Sequence, residues 1–241
     1  MKLIAMFVWS AFLGVLVPAG AVYGAPLTYV YTVEHPFYGN VGTYTDVIDD
    51  AGGVLRIDST LHIAVTLLGI ALYQEDATRS EVWRGSRLSS FVSVTDRNGS
   101  RIRVTGAAGE NVFFVTSSSG TVSAPADIAP SDPWALKRIG TGAVVSTRSG
   151  KIDKVEVIGG EAASLFMNGI FVPVRHFRVR TEAQLDKWEI WFDEHGVPIK
   201  FRSLESGTPI DFIIASQPSP QAGGAPGGLG LTGSPTIQTV H

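Results

Sequence analysis

The chain of 241 residues contains no cysteine. That excludes disulfide bonds, thiolate catalysis and cysteine-ligated metal centres. It also excludes a lipid anchor attached to a cysteine at a cleavage point. An excess of positive charge is missing too. Nineteen Lys and Arg stand against 22 Asp and Glu, a formal net charge of −3. There is no basic footprint of the kind nucleic-acid binders carry. Charged residues make up only 17% of the chain and hydrophobic ones 44%, which places it among globular proteins rather than disordered ones. Helical periodicity is scarce, and no stretch after residue 24 approaches the roughly 20 apolar residues of a membrane helix.

The N-terminus has a different character. Lys2 precedes the uncharged run "LIAMFVWSAFLGVLV" (3–17), which Pro18 breaks. Val22 and Gly24 then suit the −3 and −1 positions of a cleavage site. Residues 1–24 therefore read as a signal peptide, with an uncleaved membrane anchor as the alternative. An exported chain without disulfides must draw its stability from its core alone, which is feasible at this length. The expected localisation is periplasmic. At the other end, residues 216–241 are rich in Pro, Gly and Ser and nearly uncharged. They cannot bury enough surface to offset their ordering entropy, so a disordered tail is expected there.

Between these ends, over residues 25–215, the dominant period is two. In "VLRIDSTLHIAVTLL" (54–68), Leu55, Ile57, Leu61, Ile63, Val65 and Leu67 share one face, and Arg56, Asp58, Thr60, His62 and Thr66 the other. Such alternation marks a half-buried antiparallel strand. Strand segments recur with turn signals between them, such as Asn98-Gly99 and Ser149-Gly150. The expected fold is mainly β: a single curved antiparallel sheet or half-barrel built from consecutive hairpins, with little helix. The best helix candidate is "SDPWALKRI" (131–139), where Ser131 or Asp132 would cap and Pro133 suits the first turn. It reads equally as a turn carrying one buried Trp. "GEAASLFMNG" (160–169) is open to a single helical turn.

The densest cluster of reactive side chains is Asp193-Glu194-His195-Gly196, inside "DKWEIWFDEHGVPIKFRS" (186–203). Both flanks alternate as strands. Asp-x-x-Gly is what a tight turn requires, since Asp accepts local N–H bonds and Gly takes positive φ. A solvated corner does not tune a carboxylate or imidazole for acid–base work. The cluster is therefore expected to be a bend. His62 and His176 lie on polar strand faces, His35 precedes a turn and His241 is terminal. None shows metal-ligand spacing, and no nucleophile elbow or phosphate loop is present. No catalytic, cofactor or metal residue is assigned. Arg175, Arg178 and Arg180 are open to anion binding or to pairing with acids on neighbouring strands.

"IAVTLLGIALY" (63–73) is uncharged and apolar but for Thr66, with Gly69 in the middle. It reads either as a fully buried strand pair or as an apolar contact surface. Trp83, Phe91, Phe113, Phe114, Phe171, Phe177, Trp188 and Phe201 are expected on the concave side of the sheet, a cradle for an apolar ligand.

Taken together, "VEHPFYGNVGTYTD", "EVWRGSRLSSFVSVTDRNGSRIRV", "DPWAL" and "WFDEHGVPIKFRS…GTPIDF" resemble an uncharacterised family of exported proteobacterial proteins, classed as a domain of unknown function. The late hairpin is also similar to hairpins in periplasmic lipoprotein carriers, which are curved antiparallel sheets closed by helices. The resemblance implies a β fold and brings no catalytic residues. The expectation is a non-enzymatic exported protein that binds a lipid or other apolar small molecule, or an envelope protein. Alternatives are an interaction module pairing through exposed strands and, less favoured, a hydrolase. No nucleic-acid partner and no stable transmembrane span are expected.

Overall fold

The computed structural model describes residues 25–135, 142–182 and 184–218. The expected signal segment, residues 219–241 of the expected tail and residues 136–139 of the helix candidate lie outside the described residues. Fifteen strands follow one another: β1 (Leu27–His35), β2 (Gly39–Ala51), β3 (Val54–Leu67), β4 (Ile70–Arg84), β5 (Arg87–Arg97), β6 (Ser100–Ala108), β7 (Val112–Ser117) and β8 (Gly120–Pro125). After them come β9 (Ala129–Pro130), β10 (Ala143–Val145), β11 (Ile152–Met167), β12 (Ile170–Thr181), β13 (Gln184–Phe192), β14 (Pro198–Glu205) and β15 (Thr208–Ser216). No helix occurs among the described residues. The segment 160–169 belongs to β11 and its turn, because Ala162–Met167 pair with Ile170–Arg175 in an antiparallel hairpin. At the other helix candidate, Asp132 Oδ1 accepts the Trp134 N–H at 2.7 Å and holds a turn.

Two-residue turns set the register. Leu68-Gly69, Asn98-Gly99, Asn168-Gly169 and Ser206-Gly207 all have positive φ at both positions. That is the hairpin turn whose twist matches right-twisted strands, and Gly supplies its second residue without a Cβ clash.

All strands join one sheet in the order β8-β7-β6-β5-β4-β3-β2-β1-β15-β14-β13-β12-β11-β10-β9. Pairing is antiparallel except for the two-residue match of β9 with β10. The two terminal strands meet mid-sheet, where Val33 faces Phe212. The edge strands β8 and β9 are joined by residues 126–128 alone, so the sheet must roll up until its edges approach. It curls without closing, since β8 and β9 do not pair.

Residues 128–135 and β10 fill the roll. Ile128, Ala129, Ala135 and Val145 pack on Leu55, Ile57, Trp83, Leu88, Phe91 and Phe113 in one fully buried cluster. Each large side chain so buried contributes about 1.5–3 kcal/mol. β3 keeps the alternation expected of it, with Leu55, Ile57, Ser59 and Val65 buried and Arg56, Asp58, Thr60 and Thr66 exposed. Trp83, Phe91 and Phe113 point inward as expected, and Phe177, Trp188 and Phe201 pack in a second cluster. Phe114 and Phe171 do not: they are 43% and 73% exposed. Phe114 follows Phe113 on one strand, so the pleat turns it outward. Phe171 sits beside the β11–β12 turn.

Candidate functional site

Inside the roll, alternation delivers charge as well as aromatics. The lumen-facing residues of β4 are every second one: Tyr73, Glu75, Ala77, Arg79, Glu81 and Trp83. Glu75 and Glu81 are 0% exposed, as is Asp46 on β2.

One polar group surrounds Arg79. Its Nη2 donates to Ser59 Oγ at 2.8 Å and to Tyr44 Oη at 2.9 Å, and pairs with Asp132. Its Nε lies 2.7 Å from Glu81 Oε1. Ser59 Oγ donates to Asp46 Oδ1 at 2.6 Å, and Trp134 Nε1 to Asp46 Oδ2 at 2.8 Å. Trp83 Nε1 donates to Glu81 Oε2 at 3.0 Å. Two buried carboxylates thus meet one guanidinium directly, and a third, Asp46, joins it through Ser59. Burial pushes the Asp46 carboxyl up to about 7, with Asp132 adding repulsion and Arg79 opposing. Burial likewise pushes Glu81 up to about 8, against the pull of Arg79. Protons on these two acids limit the cost of burying so many carboxyl groups around one guanidinium.

A second group surrounds Glu75. Its Oε2 accepts from Arg148 Nη2 at 2.6 Å, from Arg97 Nε at 3.1 Å and from the Tyr73 hydroxyl. Arg148 also reaches across to β14, with Nη1 3.0 Å from Glu205 Oε2. Burial, then the bond to Glu75, pushes the Tyr73 phenol up to about 12.

Two cavities flank this second group. The inner one, about 260 Å³, is lined by Arg79, Asp132, Trp188, Ile190 and Phe201 among others. The outer one, about 440 Å³, is walled by Tyr38, Val41, Ile63, Val65, Leu72 and Ile210. Both touch Leu61, Arg148, Ser203, Glu205 and Phe212. The Arg148–Glu205 pair therefore stands between the chambers. The outer chamber lies toward the β1–β2, β3–β4 and β14–β15 turns, and His35, Tyr38, Ser206 and Thr208 line it there.

The residues singled out from sequence fall elsewhere. Asp193 Oδ1 accepts the N–H groups of His195 and Val197 at 3.0 and 2.8 Å, and its carbonyl accepts that of Gly196 at 3.0 Å. Gly196 has φ 75°, and the Glu194 and His195 side chains are exposed. The cluster is a bend, as its spacing indicated. His62 pairs on the outer face with Asp76 at 2.6 Å, and this contact holds Asp76 below the usual carboxylate range. His176 stacks on Trp191, ring centroids 4.6 Å apart, and meets Glu189 at 3.0 Å. Arg178 lies opposite Glu189 and 4.0 Å from Glu161, and Arg175 donates to the Gly160 carbonyl at 2.8 Å. Among the described residues no three His, Asp or Glu side chains are placed to hold a metal ion.

The apolar 63–73 stretch divides. Ile63 and Val65 face the outer chamber, while Leu67, Leu68 and Ile70 stand exposed at the tip, Leu68 at 94%. The buried strand pair is not what forms at that tip. Sequence reasoning passed over Asp46, Glu75, Arg79 and Glu81, and offered Asp132 only as a helix cap. For β4 a signal existed: Tyr73 and Trp83 have the same parity as Glu75, Arg79 and Glu81, so one aromatic face carries all three charges.

The model of a domain of unknown function, DUF6134, matches residues 39–215. The chain belongs to that family. The match includes every lumen charge described above. A crystal structure of a beta-barrel-like protein of another domain of unknown function, DUF1849, from Brucella abortus is similar with a TM-score of 0.56 and 8% identity, over 80% of this chain and 97% of that one. At that identity the likeness concerns the fold alone, and it agrees with the rolled sheet. No curated protein matches the sequence.

Proposed function

We propose that this DUF6134 protein is an exported, periplasmic, non-enzymatic binder of an apolar or amphipathic small molecule, which it holds in the lumen of its rolled sheet. The observation that carries this reading is the outer chamber, about 440 Å³, with Val41, Ile63, Val65, Leu72 and Ile210 on its walls. That volume suits a small organic ligand, and apolar walls with a few convergent polar groups are the usual make-up of such a site. The lumen charges support a binder over an enzyme, because Arg79, Asp132, Arg148 and Glu205 are engaged with one another rather than poised toward a reacting group. The apolar run after Lys2 supports export.

The test is native mass spectrometry on protein purified from a periplasmic extract without detergent. The expected result is a bound mass that organic extraction removes. Ligand-free protein that also fails to take up an environment-sensitive apolar dye overturns the reading.

A second reading, an envelope interaction module, is favoured by the β11–β12 tip. Phe166, Ile170 and Phe171 are exposed there, at the opposite end of the sheet from the outer chamber. Cross-linking in intact cells from position 171 separates the two readings, since a ligand carrier needs no partner at that tip.

A further inference from the structure

The outer chamber has a charged floor, with Arg97, Arg148 and Glu205 among its lining residues. Ladder register places it. Ile63 pairs with Glu75 and with Gly42, Glu75 with Arg97, and Val33 with both Gly42 and Phe212. Glu75, Arg97, Ile63 and Phe212 therefore lie at one level of the roll. Val65 and Tyr73 are two pairs nearer the mouth, the next pair to face inward. Ile210 is also nearer the mouth than Phe212, because β15 runs inward from the 206–207 turn.

The donors at this floor are unequally used. Arg148 is engaged twice, by Glu75 and by Glu205. Arg97 meets Glu75 through Nε, and its terminal amino groups make no hydrogen bond among the described residues. Its side chain is 43% exposed and lines the chamber. Glu75 itself is 0% exposed, so a ligand reaches the guanidinium before it reaches the acid. A guanidinium with free amino groups at the end of an apolar chamber recognises an oxyanion bidentately.

We propose that the outer chamber takes a single-chain amphipath with an anionic head, its carboxylate or phosphate against Arg97 and its chain along Val65, Leu72 and Ile210 toward the mouth. This rests on the lumen-binding reading and adds the head-group chemistry to it. The apolar β3–β4 tip, with Leu67, Leu68 and Ile70 exposed just beyond that wall, gives such a chain an uncharged path in from a lipid phase.

The experiment is a titration of the full chain with dodecanoate, dodecyl phosphate, dodecanol and dodecyltrimethylammonium, each below its micellar concentration. Dodecanoate or dodecyl phosphate is expected to bind about tenfold or more tighter than dodecanol, and whichever is tighter names the head. Arg97→Gln is expected to abolish that preference and leave dodecanol binding unchanged. Arg97→Lys keeps the charge without the fork and is expected to fall between. Leu72→Trp, which narrows the chamber, is expected to weaken all the probes together.

Equal binding of anionic and neutral probes, a preference for the ammonium, or an Arg97→Gln variant that keeps the anion preference overturns the head-group assignment and leaves lumen binding intact. Chain binding unaffected by Leu72→Trp overturns the chamber as the site. Binding of none of the four overturns both readings.

Discussion

Trp134 Nε1 donates to Asp46 Oδ2 at 2.8 Å across 88 residues of chain, and so fastens the turn after β9 to the inner wall of the roll. Asp132, two residues earlier, pairs with Arg79 on the same wall. The filling of the lumen is thus held by hydrogen bonds to acids that are themselves buried.

Those acids give stability an unusual pH dependence. The folded-state values of Asp46 and Glu81, about 7 and about 8, lie above their ordinary values of 3.8 and 4.5. Between the ordinary and the raised values the folded chain binds more protons than the unfolded one, so stability falls as pH rises. Asp211 and Asp153 are shifted down: burial opposes this, but the bonds to Arg202 and Lys200, and to Lys151 and Lys187, outweigh it. Their contribution is lost on acidification below about pH 4. Urea midpoints should therefore be higher at about pH 5 than at about pH 8. Asp46→Asn and Glu81→Gln should each flatten that slope, and an unchanged slope in both would contradict the buried-acid assignment.

Arg79 balances the inner group. Arg79→Met leaves Asp132 and Glu81 buried without their cation and should cost about 3–5 kcal/mol in urea unfolding. Asp132→Asn added to it should recover part of the loss, because it removes the charge left unpaired. Strict additivity of the two changes would show that the pair does not interact.

Consecutive phenylalanines on β7 test the pleat. Phe113 is fully buried and stacks parallel to Phe91 with centroids 6.1 Å apart, while Phe114 faces out. Phe113→Ala should cost about 3–5 kcal/mol and Phe114→Ala about 1 or less. Gly106 makes room for the stacked rings, since a Cβ there would sit 2.3 Å from Phe91 and 2.4 Å from Phe113. Gly106→Ala should cost about 1–3 kcal/mol through overpacking, read as a lowered melting temperature.

At the 193–196 bend, the acid and the imidazole have different expected effects. Asp193→Ala removes acceptors from two N–H groups and should cost about 1–2 kcal/mol. His195→Ala and Glu194→Ala should change stability by about 0.5 kcal/mol or less. A large effect of His195→Ala would mean that the corner does more than turn the chain.

Short-range rules account for what is legible in the sequence. A period of two and glycine turns act over a few residues, so strands, hairpins and the 193–196 bend follow from local composition alone. Which face of each strand turns inward was legible where one side was apolar but for a single hydroxyl, as on β3 with Ser59. On β4 the aromatic face also carries Glu75, Arg79 and Glu81, and polarity by itself points those residues to solvent. Only the rolled sheet, with Asp132 and Trp134 arriving from the turn after β9 and Arg148 from the turn between β10 and β11, supplies the partners that make their burial tolerable. Hydropathy along a chain records what a side chain prefers in water. Tertiary contact decides whether a buried charge finds its opposite, and here it placed the charges in the lumen.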